Sequence, residues 1–226
     1  MNNPSTALVL GSTGLIGSYV LSKLLVDPQW QSVTAITRRA LNHDHPRLNN
    51  PVMPLDEMGQ HKSLFAVDAV FCCLGTTMGQ AGSKEAFRQV DLEYPLLAAQ
   101  LALSMGVKHF LVVSAVNADV RGLSFYARTK GEMEQQLESL GFEHLTIARP
   151  SLLTGERQDF RFGEVMGNKA LALVKPLFAA AKPRWMPIAG EQVAAALVSV
   201  ARNPGQPGTR RLYYRDFVAV EPAVID

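Results

Sequence analysis

The stretch VLGSTGLIGSYV, from Val9 to Val20, decides the fold of this chain. It continues a short apolar run and sets Gly11, Gly14 and Gly17 at the start of a helical pattern. Between a strand and a helix, glycines at this spacing permit a tight turn, a close approach of backbone to a pyrophosphate, and close packing of helix on strand. The helix N-terminus adds unpaired N–H groups and the positive end of a dipole. We therefore predict a dinucleotide site in this loop. The predicted contacts are Gly11, Ser12, Thr13, Gly14, Leu15, Ile16 and Gly17.

The rest of the chain alternates short apolar runs with helix-length segments. The predicted strands are residues 7–10, 32–37, 52–55, 68–75, 109–115, 144–150 and 210–214, and the predicted helices are residues 14–25, 84–105, 126–140 and 191–202. Continuous apolar runs are typical of strands that helices bury on both faces. The pattern predicts an α/β fold with a doubly wound, mostly parallel sheet of the Rossmann type. We expect one domain over residues 1–226, in which the irregular residues 151–190 form a cap that faces the substrate.

The composition excludes several classes of protein. The 226 residues are 47% hydrophobic, which suits one sizeable core, and the net charge of +2 gives no reason to expect nucleic acid as a partner. No apolar run is long enough for a membrane span. The histidines and the adjacent Cys72 and Cys73 match no metal-ligand spacing, so no metal site is predicted. Adjacent cysteines make a poor structural disulfide and the N-terminus lacks a signal-peptide pattern, so we expect reduced thiols and a cytoplasmic location. A homodimer or a protein partner is compatible with this composition.

Two arginines follow the second predicted strand, where dinucleotide folds bind the ribose of the adenosine half. An NAD site carries a carboxylate at this point, whereas Arg38 and Arg39 stand here without a neighbouring acid. Guanidinium groups suit the 2′-phosphate of NADP, so we predict NADP(H) in preference to NAD(H), the alternative being a solvated basic turn. Asp56, next to Leu55, is placed to accept a hydrogen bond from the adenine amino group, and the alternative is an Asp that caps a loop.

Two Tyr-x-x-x-Lys pairs occur in the chain, and spacing alone does not distinguish them. Tyr19 and Lys23 lie in the middle of the first predicted helix, away from its phosphate-binding end. Tyr126 and Lys130 open a later helix, which follows Ser114 at the end of the fifth predicted strand. Because the carboxyl ends of parallel strands face the cofactor crevice, Ser114, Tyr126 and Lys130 can converge there.

Each of these three side chains has a defined use in the reduction of a carbonyl group. Tyr126 can donate the proton, and the nearby Lys130 cation is expected to lower the pKa of Tyr126 toward the working pH. Ser114 can hold the carbonyl oxygen and stabilise its developing charge. Lys130 can also reach the nicotinamide ribose. The alternative is a Tyr and a Lys on a helix surface beside a strand-end serine.

Over nearly its whole length, the chain resembles the short-chain dehydrogenase/reductase superfamily through its G-x-x-G-x-x-G spacing, the serine, the Tyr-x-x-x-Lys pair and the segment ARPSLLTG (148–155). The runs GSKEAFRQVDLEYPLLAAQLALSMGVKHFLVVSA and YARTKGEMEQQL are most similar to the Tat-interacting-protein-like oxidoreductase subgroup. The resemblance implies an NADPH-binding Rossmann fold with Ser114, Tyr126 and Lys130 as the catalytic set. The implied cofactor contacts beyond the glycine loop are Cys73, Leu74, Gly75, Thr76, Lys130, Pro150, Ser151, Leu152 and Leu153.

The chain departs from the superfamily pattern at two places, the end of the fourth predicted strand, which reads CCLGTT, and the helix after it. Many members carry an Asn on the helix after the fourth strand, where it anchors a water molecule for proton relay, and the matching position here is Asp91. The expected function is an NADP(H)-dependent oxidoreductase that acts on an unidentified small carbonyl or alcohol, with Tyr126 as acid and base. The subgroup also includes regulators, so an NADP(H)-binding regulatory or scaffold protein with little turnover is one alternative. An epimerase or isomerase with the same three residues is another.

Overall fold

The computed structural model describes residues 5–154 and 185–220. Its strands are β1 (Ser5–Leu10), β2 (Trp30–Ile36), β3 (Leu48–Asn49), β4 (Ala69–Cys72), β5 (His109–Val113), β6 (His144–Ala148), β7 (Leu153–Thr154), β8 (Ile188–Ala189) and β9 (Gly208–Leu212). Its helices are α1 (Leu15–Val26), α2 (Met78–Ala81), α3 (Lys84–Arg88), α4 (Tyr94–Ser104), α5 (Phe125–Ser139), α6 (Gly190–Arg202) and α7 (Tyr214–Val218). Two 3₁₀ turns, Leu55–Gln60 and Lys62–Phe65, precede β4, and a π-helical turn, Gln89–Glu93, joins α3 to α4.

Seven strands form one sheet in the order β3-β2-β1-β4-β5-β6-β9, and all six neighbouring pairs are parallel. Parallel neighbours need crossover connections, which α1, α4, α5 and α6 supply. The strand order reverses between β1 and β4, and folds of this type bind their ligands at the carboxyl ends of the strands beside such a switch point. The predicted α/β, doubly wound, Rossmann-type fold is confirmed.

Apolar clusters cover both faces of the sheet, as continuous apolar strands require. Successive residues of β1 point to opposite faces, so Val9 packs in one cluster with Val20 of α1, and Leu8 packs in the other with Met133 of α5. All four side chains are fully buried. Burial of a side chain of this size contributes about 1.5–3 kcal/mol to folding. The two clusters hold the helices against the sheet and so fix the strand ends that form the site.

The third strand lies earlier in the chain than the prediction of residues 52–55. The structure places it at Leu48–Asn49, and Val52 forms an isolated bridge to Thr37. Pro51 precedes the predicted run and Pro54 lies within it, and each lacks the backbone N–H that a strand ladder uses. The chain therefore leaves the sheet here and enters the first 3₁₀ turn.

The helix predicted at residues 84–105 is divided by the π-helical turn. The N–H of Tyr94 donates to the carbonyl of Gln89, five residues back. Pro95 follows, and because it has no N–H it cannot bond the carbonyl of Asp91 in the α-helical pattern. The helix widens at this point, and Asp91 lies buried with 1% of its surface exposed.

The C-terminal elements also differ in detail from the prediction. The last strand is β9 at Gly208–Leu212 rather than residues 210–214, because Tyr213 starts α7 and its N–H donates to Asp216 Oδ2 at 2.8 Å. The pairing of β7 with β8 and the short helix α7 were not predicted. Residues 155–184 of the expected cap lie outside the described residues. Among the helices that the structure describes, none combines the length and apolarity that a membrane span needs.

Candidate functional site

The glycine loop lies between β1 and α1, and two of its glycines leave no space for a side chain. Gly11 has a φ of 78°, and a Cβ there would lie 2.6 Å from the carbonyl oxygen of Cys73. A Cβ on Gly17 would fall on the carbonyl oxygen of Gly11, 2.7 Å from its carbonyl carbon. The N–H of Gly14 closes the turn by donating to the Gly11 carbonyl at 3.0 Å. Backbone therefore packs directly on backbone throughout this loop.

The start of α1 presents groups that suit a phosphate. Gly14 is the N-cap and no side chain caps the helix, so the first N–H groups, from Leu15 and Ile16 onward, have no intrahelical acceptor. Ser12 is 3% exposed, and its hydroxyl has no hydrogen-bond partner among the described residues. A buried polar group without a partner costs about 1–3 kcal/mol, which a bound phosphate oxygen would offset. The loop fits the pyrophosphate of a dinucleotide, and Thr13 is exposed at its surface.

Arg38 and Arg39 follow β2, and both are exposed. The backbone beneath them is fixed, because Thr37 Oγ1 donates to the Arg39 carbonyl at 2.7 Å and Asn50 Nδ2 donates to Thr37 Oγ1 at 2.8 Å. The end of β2 lies beside the end of β1 in the parallel sheet. The structure therefore places two guanidinium groups on the surface at the edge of the sheet that carries the glycine loop.

Leu55 and Asp56 begin the first 3₁₀ turn, with Leu55 in the core and Asp56 exposed. The hydroxyl of Tyr94 donates to Asp56 Oδ1 at 3.5 Å. Burial, followed by the Asp56 carboxylate, raises the pKa of Tyr94, so this phenol remains a donor. Asp56 is thereby tied to the start of α4, while Leu55 contributes packing.

The end of β4 passes directly over the glycine loop. The N–H of Cys73 donates to the carbonyl of Leu10 at 2.9 Å, and the backbone of Cys73 and Leu74 occupies the space beside Gly11. Leu74 is buried and Cys73 is half-buried. Both cysteines are free, and burial raises the pKa of Cys72 to about 12. Cys72 is therefore a neutral thiol at ordinary pH.

Gly75 and Thr76 connect this strand end to the buried Asp91. A Cβ on Gly75 would lie 3.5 Å from Asp91 Oδ1 and 4.0 Å from Lys130 Nζ. The N–H of Thr76 donates to Asp91 Oδ2 at 2.8 Å. The predicted cofactor-binding segment 73–76 therefore lies between the glycine loop and the predicted catalytic lysine.

A cavity of about 250 Å³ lies where β5 and β6 end, and its lining consists of residues 114–117, Tyr126, residues 150–153 and Trp185. Ser114, Tyr126 and the predicted segment 150–153 are thus brought together around one space. The pairing of β5 and β6 continues beyond their ends, because the N–H of Ser114 donates to the Ala148 carbonyl at 2.8 Å. This continued pairing fixes one wall of the cavity.

The residues that precede α6 hold the segment after β6 through hydrogen bonds. Ser151 Oγ donates to the carbonyl of Met186, and the N–H of Ile188 donates to the Leu152 carbonyl at 3.0 Å. Leu152 and Trp185 are exposed at the cavity. Two separate parts of the chain therefore form the wall opposite Ser114.

Tyr126 stands in the first turn of α5. Ser124 caps this helix, since its Oγ accepts from the Ala127 N–H at 3.0 Å. The Tyr126 ring lies 5.8 Å from the ring of Phe87, centre to centre, and Phe87 is fully buried. Capping and ring packing together hold the half-buried phenol at the cavity.

Lys130 lies one turn further along α5 and forms a buried ion pair. Its Nζ lies 2.8 Å from Asp91 Oδ1, with 3% of the lysine side chain and 1% of the aspartate side chain exposed. Nζ also donates to the Val113 carbonyl at 3.4 Å. Burial opposes its charge, but the Asp91 carboxylate and its hydrogen bond raise the pKa of Lys130 overall. Lys130 is therefore a cation, and an ammonium has a third N–H for a ribose hydroxyl.

The Lys130 charge lowers the pKa of Tyr126, as expected, but the net shift of that pKa is upward. Burial raises the pKa of Tyr126, and this effect exceeds the lowering by the Lys130 charge, while Asp91 adds to the increase. Neither the burial of the Tyr126 phenol nor the Asp91 carboxylate beside Lys130 is apparent from the local sequence. Tyr126 is a phenol, not a phenolate, at neutral pH.

Ser114 contacts a carboxylate that the sequence analysis missed. Its Oγ donates to Glu134 Oε1, and Glu134 is 2% exposed. Arg149 Nε donates to both oxygens of this carboxylate at 3.0 Å, and Arg149 Nη1 donates to the hydroxyl of Tyr213 at 3.2 Å. The Ser114 hydroxyl proton is thus directed at Glu134, so the serine oxygen presents its lone pairs elsewhere.

Tyr19 and Lys23 lie away from this cavity, as predicted. Tyr19 packs against the apolar cluster beneath α1, and Lys23 Nζ pairs with Glu191 Oε1 at 3.1 Å. This second pair has a lysine that is 10% exposed and a glutamate that is 39% exposed. The two Tyr-x-x-x-Lys copies therefore each have a carboxylate partner, but they differ in burial.

Glu134 could have been suspected from its position on the helix face of Lys130, four residues further on. No local pattern, however, indicates that Arg149, which follows β6, lies beside Glu134. Asn117, Val116 and Trp185 line the cavity and were also missed, because loop residues carry no periodic signal.

Comparisons with known proteins identify the family of this chain. A family model described as NAD(P)H-binding matches residues 11–204. Protein HTATIP2 of Rattus norvegicus is 36% identical over 173 residues, which cover 75% of this chain and 71% of that protein. Protein FMP52, mitochondrial, of Candida albicans is 32% identical over 161 residues, which cover 68% of this chain and 69% of that protein.

The names of these relatives contradict the cytoplasmic location expected from the sequence. FMP52 proteins of Candida albicans, Emericella nidulans, Scheffersomyces stipitis and Eremothecium gossypii are all named mitochondrial. The expectation rested on reduced cysteines and on the lack of a secretory pattern, and neither observation distinguishes the cytoplasm from the interior of an organelle.

Solved structures support the fold. A UDP-N-acetylglucosamine 4-epimerase from Methanobrevibacter ruminantium superimposes with a TM-score of 0.71 and 19% identity, covering 93% of this chain and 77% of that one. A short-chain dehydrogenase/reductase superfamily protein from Agrobacterium tumefaciens, with bound NAD, gives 0.70 and 17%, covering 92% and 77%. At these identities the likeness concerns the fold alone. Together with the family model and the relatives, it shows that the chain belongs to the NAD(P)H-binding family, among the atypical short-chain dehydrogenase/reductase-like proteins related to HTATIP2 and FMP52.

Proposed function

We propose that this protein is an NADP(H)-dependent oxidoreductase that reduces a small carbonyl compound, or oxidises the corresponding alcohol. The observation that carries the proposal is one cavity lined by Ser114 and Tyr126, with Lys130 one helical turn from Tyr126 and the glycine loop at the same sheet edge. In this proposal the chain forms one unit over residues 1–226, and residues 151–190 face the substrate.

The chain's own residues would act as follows. The glycine loop and the first turn of α1 would bind the pyrophosphate, and residues 73–76 and 150–153 would border the nicotinamide half. A bound reduced nicotinamide supplies hydride to a carbonyl carbon. Tyr126 would donate its phenolic proton to the carbonyl oxygen, and solvent would restore that proton. Lys130 would orient the ribose and remain charged.

Ser114 would act differently from the role expected from the sequence. Its hydroxyl proton points at Glu134, so its oxygen is an acceptor. An acceptor at this place would hold the hydroxyl of the alcohol form, or the phenol of Tyr126. The carbonyl oxygen would then depend on Tyr126 for its hydrogen bond.

Replacement of Tyr126 by Phe tests the reaction. We expect Tyr126→Phe to lower turnover of any carbonyl substrate by about 10²–10⁴-fold, the usual contribution of a general acid, with little change in NADPH affinity. A panel of aldehydes and ketones, followed through oxidation of NADPH, measures it. Tyr19→Phe is the matched control and should keep the full rate. Equal rates for the two variants would contradict the role of Tyr126.

The arginines after β2 test the choice of nucleotide. Charge-assisted bonds to the 2′-phosphate should make NADPH bind more tightly than NADH by at least about tenfold. Arg38→Ala and Arg39→Ala should each reduce this preference and leave NADH affinity unchanged. Fluorescence titration gives both constants. Arg210→Ala removes an equal charge from exposed β9 and should change neither. Equal affinities for NADPH and NADH in the unaltered protein would exclude this role.

Nucleotide binding with little turnover is a second candidate function. The raised pKa of Tyr126 favours it, because a weaker acid transfers its proton to a carbonyl oxygen more slowly. This candidate predicts tight NADPH binding and no oxidation of NADPH across the substrate panel.

A further inference from the structure

The two Tyr-x-x-x-Lys copies differ chiefly in how their lysines are neutralised. Lys23 pairs with the part-exposed Glu191 on another helix. Lys130 pairs with Asp91, and neither side chain exposes more than 3% of its surface. Water screens the first pair and is excluded from the second, so the charges of Asp91 and Lys130 act on their neighbours with little screening.

The position of Asp91 is built by three independent features. The π-helical turn forms because Pro95 interrupts the α-helical bonding, and it presents Asp91 inward. One carboxylate oxygen contacts Lys130, and the other accepts the N–H of Thr76 at 2.8 Å. Gly75 has no side chain, so no Cβ lies between its backbone and the two groups Asp91 Oδ1 and Lys130 Nζ. The carboxylate is thus fixed between the Gly75–Thr76 loop and α5.

Among residues 5–154 and 185–220, two charged groups act on the pKa of Tyr126. Lys130 acts from its own helix and Asp91 from the π-helical turn, while Phe87 from α3 presents an apolar ring. The thiol of Cys72, at the end of β4, faces Lys130 and is neutral. The raised pKa of Tyr126 agrees with this environment, in which burial is opposed by a cation whose charge is already matched.

We propose that Asp91 is a positioning residue that holds Lys130 against the Gly75–Thr76 loop and cancels its charge in front of Tyr126, so that Tyr126 stays protonated and acts as a proton donor. The site would therefore favour carbonyl reduction over alcohol oxidation, because oxidation needs a base at this position. This inference rests on the proposed function only in naming Tyr126 as the acid; the protonation state itself is measurable without a substrate.

The test follows the ultraviolet absorbance of tyrosinate during a pH titration. Subtracting the curve of Tyr126→Phe from that of the unaltered protein isolates Tyr126. Its ionisation should lie above the ordinary pKa of 10.0. In Asp91→Asn, measured against Asp91→Asn/Tyr126→Phe, no carboxylate offsets Lys130, so the tyrosinate fraction should increase at every pH at which Lys130 keeps its proton. Glu191→Gln, the matched change at the other lysine, should leave the Tyr126 curve unchanged.

Two results would overturn the inference: ionisation of Tyr126 below the ordinary value in the unaltered protein, or an unchanged Tyr126 curve in Asp91→Asn. The first comparison needs only the unaltered protein and Tyr126→Phe, so ionisation below the ordinary value would overturn the inference even where Asp91→Asn does not fold. Asp91→Asn/Lys130→Met, which removes both charges, should restore the phenol. NADPH binding and turnover are measured on the same proteins, so absence of turnover with the expected titration would count against the proposed function alone.

Discussion

Gly17→Ala should bind NADPH at least about 10–100-fold more weakly than the unaltered protein. The added methyl group would fall on the backbone carbonyl oxygen of Gly11. Neither this carbonyl nor the α1 backbone that carries the methyl group is a flexible side chain that can rotate away. Either α1 or the loop must move, and its N–H groups then leave the phosphate positions. Each hydrogen bond to a charged group contributes about 1.5–3 kcal/mol, so loss of one or two gives this range. Fluorescence titration with NADPH measures the loss.

The control for this substitution is Gly59→Ala. Gly59 has no atom within 4 Å of a built Cβ and no positive φ, so the same change in side chain meets open space. Gly59→Ala should bind NADPH normally. Circular dichroism separates a binding defect from a failure to fold. Normal binding by a folded Gly17→Ala would show that the loop does not hold the pyrophosphate.

Glu134→Ala should lower the free energy of unfolding by about 3–5 kcal/mol. Removal of the carboxylate strands Arg149, whose side chain is only 19% exposed, and deprives Ser114 of its acceptor. Urea denaturation at neutral pH measures the change. Because small proteins are stable by about 5–15 kcal/mol, the variant can be partly unfolded at room temperature. Glu134→Gln keeps the shape and an acceptor, and should cost less.

Glu143→Ala is the matched control. Glu143 pairs with Lys108 at 3.4 Å, with 46% and 74% of the two side chains exposed, so its loss should cost less than about 1 kcal/mol. The double variant Glu134→Leu/Arg149→Met removes both buried charges and should recover most of the stability. A loss below about 1 kcal/mol in Glu134→Ala would show that the buried carboxylate is not a structural centre.

The parts of the fold that depend on local pattern could be predicted from the sequence. Apolar runs predicted the strands other than β3, β7 and β8. The glycine spacing located the turn at Gly11, because the close contact of Gly17 with Gly11 lies within seven residues. The same reasoning separated Tyr126 from Tyr19, since Tyr126 opens its helix after the fifth strand and Tyr19 lies in the middle of the first helix. The prediction of residues 52–55 as a strand failed where Pro51 and Pro54 outweighed apolar character.

The charge state of the site could not be predicted, because its determinants are distant in the chain. Asp91 meets Lys130 across 39 residues and Glu134 meets Arg149 across 15. Neither pairing has a periodic signature. Glu134 accepts the hydrogen bond of Ser114 Oγ, and burial together with Asp91 outweighs the lowering of the Tyr126 pKa by Lys130. Lys130 was read as an isolated cation, and Ser114 as an unpaired donor.

The length of the π-helical turn at Gln89–Glu93 fixes the rotation of α3 relative to α4. An α-helix advances by about 100° per residue, so gain or loss of one residue here would rotate α3 against α4 by that angle. Phe87, before the turn, packs against Tyr126, and Ala98, after the turn, packs in the core. Because α3 and α4 each make these contacts, neither helix can rotate without losing them. Variation among related chains should therefore occur here by substitution within a constant length, and an exchange of Asp for Asn at position 91 would be one such step.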